Sequence, residues 1–441
     1  MRYPRFLPAS LVFLLPFFIT DLALAAPADK TRLQSEKTPM KSVFVFQPQA
    51  AKEYPEARLV NANQTYSDAS GYGFDLGSRY DQSNRPFYFS VQVPEGNYRV
   101  SVELGHPDKA SKNTVKAESR RLYLQDVTTA AGEFSRQSFI VNIRTAALTA
   151  PEQNAPGGHA VVLNAREKDA LHWDHKLTLE FNGEAPQLRS LTLEKTDVPV
   201  IWLVGDSTVT DQSWEPAASW GQMLPRFFDD RIAIANHAES GETLKSFISG
   251  LRLAKVLENL REGDYLFIQF GHNDQKKNWP QTWADATTTY PAYLQVLIAE
   301  ARLRGATPVL ITSMQRRQFD ARGKIKNSHG DYPRAVRDLA AREGVALIDL
   351  ESMSVTLYEA LGVEDAPLAF NDNGRDATHH NNYGALQLAK CVVRGIRLAD
   401  LPLSEYLLPG SDHYDPAHPD PVKTFSFSAS PRSSAVRPAG N

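Results

Sequence analysis

A short apolar run that ends in Gly-Asp-Ser, within residues 200–209, is the feature that most constrains the fold of this chain. Apolar residues in series that stop at a glycine predict a strand buried on both faces. Gly205 permits a sharp turn, and Asp206 or Ser207 can cap a following helix. Ser207 is then expected at the carboxyl end of a parallel strand, where open α/β sheets bind their ligands. The same residues also occur in ordinary turns, so this stretch alone does not establish a nucleophile.

Further apolar runs follow, and they alternate with segments of helical periodicity. The runs cover residues 232–235, 265–270, 308–311 and 345–348. Apolar residues recur at three- and four-residue spacing over residues 244–260, 292–303, 332–342 and 384–398. Strands that alternate with helices predict an α/β domain, over residues 197–407, whose parallel sheet is covered on both faces.

Residues 43–196 show instead the two-residue alternation of β-strands. Apolar residues alternate with polar ones over residues 87–93 and 98–104, and the intervening Pro-Glu-Gly-Asn predicts a β-hairpin. Further candidate strands lie at residues 139–143, 177–181 and 191–193. Several short strands between turn signals predict an all-β sandwich. Such a domain either binds carbohydrate through exposed aromatic residues or only supports the next domain, and calcium binding within it stays open.

The first 26 residues have the pattern of a secretory signal peptide. Two arginines precede an apolar run at residues 11–19, and Ala-Leu-Ala at residues 23–25 offers a cleavage site. The apolar run is short and contains a proline, so an uncleaved membrane anchor is the less favoured alternative. We expect residues 27–42 to be a linker and the protein to be exported, periplasmic or secreted, without a membrane anchor after cleavage.

Net charge, cysteine count and local composition limit the classes of binding partner and the kinds of cross-link that this chain can have. The formal net charge is −3 over 441 residues, which gives no attraction to nucleic acid or to an anionic membrane. The single cysteine, Cys391, excludes an internal disulfide. Residues 408–441 are rich in proline, serine and aspartate, and we expect this tail to be partly disordered.

Polar loops that follow the predicted strands contain the residue types of a serine hydrolase. The carboxyl ends of parallel strands share one edge, so the loops after the first three strands lie together. A serine nucleophile needs a base and an orienting carboxylate, and His379 and Asp376 supply both types. The backbone N–H groups of Ser207 and Gly241 and the amide of Asn273 are candidate donors to an oxyanion. Singly, each is equally a turn or cap residue, and their combination on one edge favours the site.

Cationic and aromatic side chains near this edge are candidates for substrate contact: Lys276, Lys277, Arg316, Arg317, Trp220 and Trp279. The cations can pair with sugar carboxylates and the indoles can stack on sugar rings, although Trp220 lies in a helical stretch and is also a core candidate. No metal or cofactor is expected. Residues 172–175, His-Trp-Asp-His, lie beside a predicted strand that projects successive side chains to opposite faces.

Four short blocks resemble those of the SGNH (GDSL-type) hydrolases: Gly205-Asp206-Ser207, Gly241, Gly271-His272-Asn273-Asp274 and Asp376-x-x-His379. Their wider context is similar to the rhamnogalacturonan acetylesterases, carbohydrate esterase family twelve, over residues 205–209, 219–222, 236–241, 270–274 and 376–379. The resemblance spans about residues 199–401. It implies a three-layer α/β/α sandwich of the flavodoxin-like type, and the β-rich region before it resembles a galactose-binding-like domain.

The resemblance also implies roles. Ser207 is the nucleophile, His379 the base and Asp376 its orienting partner, while Ser207 N–H, Gly241 N–H and Asn273 form the oxyanion hole. The implied reaction removes O-acetyl groups from rhamnogalacturonan, a pectin, without a cofactor. The alternatives are a lipase or thioesterase of the same superfamily, an esterase for another acetylated polysaccharide such as xylan, and a non-catalytic carbohydrate-binding protein. Fungal members carry disulfides that this chain cannot form, so their loop details do not transfer.

Overall fold

The computed structural model describes residues 41–80, 84–149, 158–411 and 413–432. The predicted signal peptide, residues 1–26, lies outside these residues, as do most of the predicted linker and the last part of the tail. Among the helices described, none combines the length and the hydropathy needed to cross a bilayer.

Ten strands form a β-sandwich at the start of the described chain. They are β1 (Lys41–Val45), β2 (Arg58–Leu59), β3 (Tyr72–Asp75), β4 (Phe87–Gln92), β5 (Gly96–Gly105), β6 (Ser111–Ala117), β7 (Arg121–Thr129), β8 (Phe134–Ile143), β9 (Lys176–Ala185) and β10 (Leu188–Thr196). One five-stranded sheet has the order β2-β1-β10-β5-β8 and the other β3-β4-β9-β6-β7. Apolar residues of both sheets, such as Phe44, Phe89 and Val100, form one core between them. The likeness of this sandwich to galactose-binding domains stays a prediction.

The predicted hairpin of residues 87–104 is wrong. β4 pairs with β3 and β9, whereas β5 pairs with β10 and β8, so the two strands lie in different sheets. The backbone turns at Gly96, whose φ of 139° favours glycine. Alternation does not distinguish a hairpin from a crossing between two sheets, because in both cases each strand buries one face in the same core.

The second half of the chain contains the predicted parallel sheet. Its strands, and a short antiparallel pair beside it, are β11 (Val200–Gly205), β12 (Ala217–Ala218), β13 (Ala233–Asn236), β14 (Tyr265–Gln269), β15 (Thr307–Ile311), β16 (Ala346–Ile348) and β17 (His380–Asn381). The sheet has the order β13-β11-β14-β15-β16 with all neighbours parallel, and β12 pairs with β17. This is the flavodoxin-like order, and the predicted α/β class is confirmed.

Helices cover both faces of the parallel sheet. They are α1 (Trp220–Met223), α2 (Leu244–Ser249), α3 (Arg252–Leu257), α4 (Thr289–Leu303), α5 (Tyr332–Glu343), α6 (Leu350–Asp365) and α7 (Asn382–Leu398). Ile201 and Leu203 of β11 pack into a core with α1, α6 and α7. Val200, Trp202 and Val204 point the other way, into a core with α2 to α5. The alternation of one strand therefore fills two cores, one on each side of the sheet.

Two helical segments differ from the sequence prediction. Residues 244–260 form two helices rather than one, because Leu251 between them adopts a left-handed conformation with φ 61°. α6 was not predicted, and its helical backbone is interrupted at Gly362, where φ is 73°. A left-handed residue changes the direction of the chain and so breaks the periodicity that identifies a helix.

Side chains of the β-sandwich are buried in the α/β half. Leu122 of β7 belongs to the core with α1, α6 and α7, and Ile140 of β8 belongs to the core on the opposite side of the sheet. Arg121 donates to Asp211 over 2.6 Å, and both side chains are buried. The described chain from residue 41 onward accordingly falls within one compact unit, Pro39–Asn441.

The described part of the C-terminal tail packs against both halves. The ring of Phe425 contacts that of Tyr383 at 5.3 Å between centroids, on α7. Further along, the Ser428 carbonyl accepts a hydrogen bond of 2.6 Å from Lys116 of β6. Composition predicts a partly disordered tail, but its aromatic residues give residues 413–432 an apolar surface to bury.

Candidate active site

Ser207 lies where the sequence predicts, directly after β11 at the carboxyl edge of the parallel sheet. A side chain at Gly205 would place its Cβ 2.6 Å from the Gln269 carbonyl oxygen, so the close approach of β14 requires glycine. Asp206 fixes the turn, since its Oδ1 accepts from the N–H and the hydroxyl of Thr208 at 3.0 and 2.8 Å. Ser207 is buried, with 5% of its surface exposed.

Ser207, His379 and Asp376 form one chain of hydrogen bonds. Ser207 Oγ lies 2.9 Å from His379 Nε2, and His379 Nδ1 lies 2.8 Å from Asp376 Oδ2. A carboxylate only accepts, so Nδ1 carries the proton and Nε2 is free to accept the hydroxyl proton of Ser207. Burial disfavours the charge of Asp376, but the hydrogen bond from His379 and two backbone N–H groups lower its pKa to about 2. The carboxylate is thus ionised at neutral pH.

The loop that carries Asp376 is hydrogen-bonded to the segment that follows β15. Arg317 follows β15 and donates through Nη2 to the carbonyls of Gly374 and Asp376. Its backbone N–H donates to the Ala377 carbonyl at 2.8 Å. The guanidinium predicted to contact substrate is therefore bonded to the loop behind the histidine.

The two predicted side loops of the oxyanion hole are tied to each other. Gly241 has a left-handed backbone, φ 82°, and Asn273 is buried on the loop after β14. Asn273 Nδ2 donates to the carbonyl of Glu242, the neighbour of Gly241, at 3.0 Å. One N–H of this amide therefore fixes the loop after β13.

The carboxylate of Asp274 also bonds to both of these loops, a role that sequence reasoning missed. Its Oδ1 accepts from the N–H of Leu244 at 2.9 Å and its Oδ2 from the N–H of Gly271 at 3.0 Å. Burial raises the pKa of this carboxyl to about 7. Next to it, His272 Nδ1 lies 3.3 Å from Asp206 Oδ2, which connects the loop after β14 to the turn of Ser207. The Gly-His-Asn-Asp block was the available signal for both residues.

The remaining predicted substrate contacts lie in different surroundings. The substrate contact predicted for Trp220 is wrong and its alternative, a place in the core, is correct, because Trp220 is 1% exposed and its indole N–H donates to Gln269 Oε1 at 2.8 Å. Arg316 lies at the site, where its Nε donates to Thr378 Oγ1 at 3.1 Å. Lys276 lies 4.0 Å above the ring of Trp279, and burial together with the charge of Arg316 lowers its pKa. Lys277 is exposed and faces Trp283.

One group of buried ligands in the described chain has the composition of a metal site: Glu167, His172 and Glu239, with ligand atoms within 4.8 Å of one another. Arg252 donates to both oxygens of Glu167, and Arg166 pairs with Glu239. Two guanidinium groups thus supply the positive charge that pairs with the two carboxylates. The strand-based argument against a metal at residues 172–175 is wrong, because His172 lies in a loop before β9.

Residues 203–385 match the model of the GDSL-like lipase/acylhydrolase family. The rhamnogalacturonan acetylesterase RhgT of Bacillus subtilis is 38% identical over 228 residues, which cover 48% of this chain and 97% of that protein. The probable rhamnogalacturonan acetylesterase YesY of the same organism is 37% identical over 211 residues, 47% of this chain and 97% of that protein. The crystal structure of B. subtilis YxiM is 23% identical, with a TM-score of 0.46, and covers 82% of this chain and 99% of YxiM.

The parallel sheet and these relatives define the class of protein, a carboxylic ester hydrolase with an α/β fold. This chain belongs to the GDSL-like lipase/acylhydrolase family, and the resemblance to SGNH hydrolases read from its sequence is confirmed.

Proposed function

We propose that this protein is a carbohydrate acetylesterase that removes O-acetyl groups from rhamnogalacturonan by a Ser-His-Asp mechanism, with Ser207, His379 and Asp376 in these roles. The hydrogen-bonded chain from Ser207 Oγ through the His379 ring to Asp376 carries the proposal. It provides a nucleophile, a base with its lone pair aimed at that nucleophile, and a carboxylate that holds the tautomer.

The reaction then has two halves. His379 Nε2 takes the hydroxyl proton as Ser207 Oγ bonds to the acetyl carbon. The bond from that carbon to the sugar oxygen breaks, and His379 returns the proton to the departing sugar hydroxyl. Water next gives a proton to His379 and bonds to the acetyl carbon, and Ser207 leaves with that proton as acetate is released.

The proposed oxyanion hole consists of the N–H groups of Ser207 and Gly241 and the amide of Asn273. One N–H of that amide already binds the Glu242 carbonyl, so the other is the proposed donor to the developing negative charge. Donors that are fixed before the reaction stabilise the transition state without reorganisation.

Replacing Asn273 with alanine is expected to lower kcat by about 100- to 1000-fold, the usual effect of removing one oxyanion donor. KM should change little, because the donor acts on charge that develops after binding. Initial rates of acetate release give both parameters. Asn278→Ala is the matched control, an exposed asparagine on the same loop. A rate for Asn273→Ala within threefold of the wild type would remove this amide from the site.

The relatives and the charges at the rim support the acidic pectin substrate over neutral xylan. RhgT and YesY carry rhamnogalacturonan acetylesterase in their names. Lys276 and Arg316 lie close enough together for the charge of Arg316 to lower the pKa of Lys276. Arg316 bonds to Thr378, the neighbour of His379, and two cations held there suit the carboxylates of galacturonate residues.

Changing Lys276 to glutamine is expected to lower kcat/KM for acetylated rhamnogalacturonan by about 10- to 100-fold, the range for losing a charge-assisted hydrogen bond. Activity on acetylated xylo-oligosaccharides without glucuronate and on p-nitrophenyl acetate should stay the same, because neither substrate carries a carboxylate. Lys324→Gln is the control, since Lys324 is exposed, is not a candidate substrate contact and pairs with Glu359 at 2.8 Å. An equal loss on all substrates would contradict carboxylate recognition.

A series of p-nitrophenyl esters tests the lipase and thioesterase alternative. A carbohydrate acetylesterase prefers acetate, whereas a lipase or thioesterase prefers longer acyl chains. Release of acetate from the polysaccharide itself separates the enzyme from a non-catalytic binding protein.

A further inference from the structure

The turn between β6 and β7 of the β-sandwich has an unusual backbone. Glu118 and Arg120 have φ values of 55° and 66°, in the left-handed region that favours glycine. Both side chains are buried, with 4% and 6% of their surface exposed. Non-glycine residues keep such conformations only where their surroundings fix them, and they cluster at functional sites.

Arg120 reaches from this turn into the α/β half and bonds to the segment that follows Ser207. Its Nη1 donates to the carbonyls of Gln212, Trp214 and Ala217 at 3.0, 2.9 and 2.8 Å. Its Nη2 lies 2.6 Å from Glu215 Oε1. One guanidinium thus fixes four residues of a loop that has little regular structure of its own.

The same side chain bonds to the segment that follows His379. Arg120 Nη2 donates to Asn382 Oδ1 at 3.2 Å, and Asn382 is the first residue of α7. The two segments are also paired with each other, since Ala218 of β12 lies opposite His380 of β17. Arg120 therefore lies at the junction between the chain after the nucleophile and the chain after the base.

The connection continues to the nucleophile itself. Gln212, whose carbonyl accepts from Arg120, donates through Nε2 to the carbonyl of Ser207 at 2.7 Å. A change at Arg120 thus reaches Ser207 through one intervening side chain, and reaches His379 through the β12–β17 pair. The contact between Ser207 Oγ and His379 Nε2 depends on both segments.

We propose that Arg120, a residue of the β-sandwich, is a positioning residue for ester hydrolysis that keeps Ser207 and His379 in register. The proposal rests on the proposed function, since it assigns Arg120 a task in that reaction. It also gives the β-sandwich a part in catalysis, in addition to any binding of carbohydrate.

The test compares Arg120→Ala and Arg120→Lys with Arg99→Ala in the full chain. Arg99 is the matched control, because it also joins the β-sandwich to the α/β half, donating to Asp230 through Nε at 3.1 Å. Asp230 precedes β13 and so lies at the edge of the sheet opposite Ser207. Activity is measured with p-nitrophenyl acetate, which needs no particular sugar.

We expect Arg120→Ala to lower kcat by about 10- to 100-fold, since small misplacement of reacting groups costs this much. KM should stay within about twofold of wild type, because a positioning residue acts on the reacting groups rather than on binding. The kcat of Arg120→Lys should lie between those of the wild type and Arg120→Ala. An ammonium group keeps the charge but lacks the fork of donors that reaches several carbonyls. Millimolar guanidinium chloride should partly restore kcat in Arg120→Ala and leave Arg99→Ala unchanged.

Folded fractions from thermal unfolding normalise every rate, so that a loss of folding is separated from a loss of positioning. Wild-type kcat per folded molecule in Arg120→Ala would overturn the proposal, as would an equal loss in Arg99→Ala. If the alanine variant does not fold, Arg120→Lys decides by the same criteria. A wild type without esterase activity would contradict the proposed function and this proposal together, whereas an active wild type with an undiminished kcat in Arg120→Ala would contradict this proposal alone.

Discussion

Replacing Ser207 with alanine is expected to lower kcat for acetylated rhamnogalacturonan by about 10⁶-fold, the loss typical of a serine hydrolase without its nucleophile. The reason is geometric, because Ser207 Oγ lies 2.9 Å from the histidine nitrogen that takes its proton. Alanine removes the oxygen that forms the acetyl-enzyme and leaves the surrounding loop intact. Acetate release measures the rate, and thermal unfolding checks that the variant is folded.

Covalent labelling and a control variant test the same assignment of Ser207. A fluorophosphonate reagent should add once to the wild type, on the peptide that contains residue 207, and should not add to Ser207→Ala. Ser213→Ala is the matched control, because Ser213 lies six positions further along the same loop with its Oγ 3.4 Å from Arg166. Turnover in Ser207→Ala within about tenfold of the wild type would end the nucleophile assignment.

The α/β half of the fold could be predicted because its pattern is local. Val200, Trp202 and Val204 enter one core and Ile201 and Leu203 the other, so a wholly apolar strand implies helices on both faces. The β-sandwich pattern was equally local, but the sheet to which a strand belongs was not. β4 and β5 are adjacent in sequence and lie in different sheets, and nothing in their alternation records this.

The parts of the site that could be predicted are those that follow from strand order and from closeness in sequence. The strand order brings the loops after β11 and β14 together, and Asp376 and His379 are close in sequence. For Trp220 the sequence left substrate contact and the core as alternatives, because helical periodicity does not say which face of a short helix is buried. Its indole N–H finds a partner in Gln269, which a buried tryptophan needs.

Contacts from the β-sandwich could not be predicted from the sequence. Arg120 bonds to the Ala217 carbonyl, 97 positions further along the chain, and nearby Arg121 pairs with Asp211. No pattern in the sequence indicates that these arginines are buried, and arginine is seldom fully buried unless it is paired. Only the packing of two halves shows that the turn is buried and that its cations face carbonyls and a carboxylate.

Changing Asp376 to asparagine is expected to lower kcat by about 10⁴-fold, the effect of the equivalent change in another serine hydrolase, and to leave KM nearly unchanged. The carboxylate accepts the Nδ1 proton of His379 over 2.8 Å, and this leaves Nε2 to accept from Ser207. An amide N–H in that position faces Nδ1–H, so the ring moves its proton to Nε2 and can no longer take one. Because the pKa of Asp376 is about 2, the wild type keeps the carboxylate ionised down to about pH 3. Asp372→Asn is the control, a partly exposed carboxylate on the same loop that pairs with Arg375. If Asp376→Asn keeps more than about a tenth of wild-type turnover while Asp372→Asn is unaffected, His379 is oriented by another group and the Ser-His-Asp mechanism is wrong.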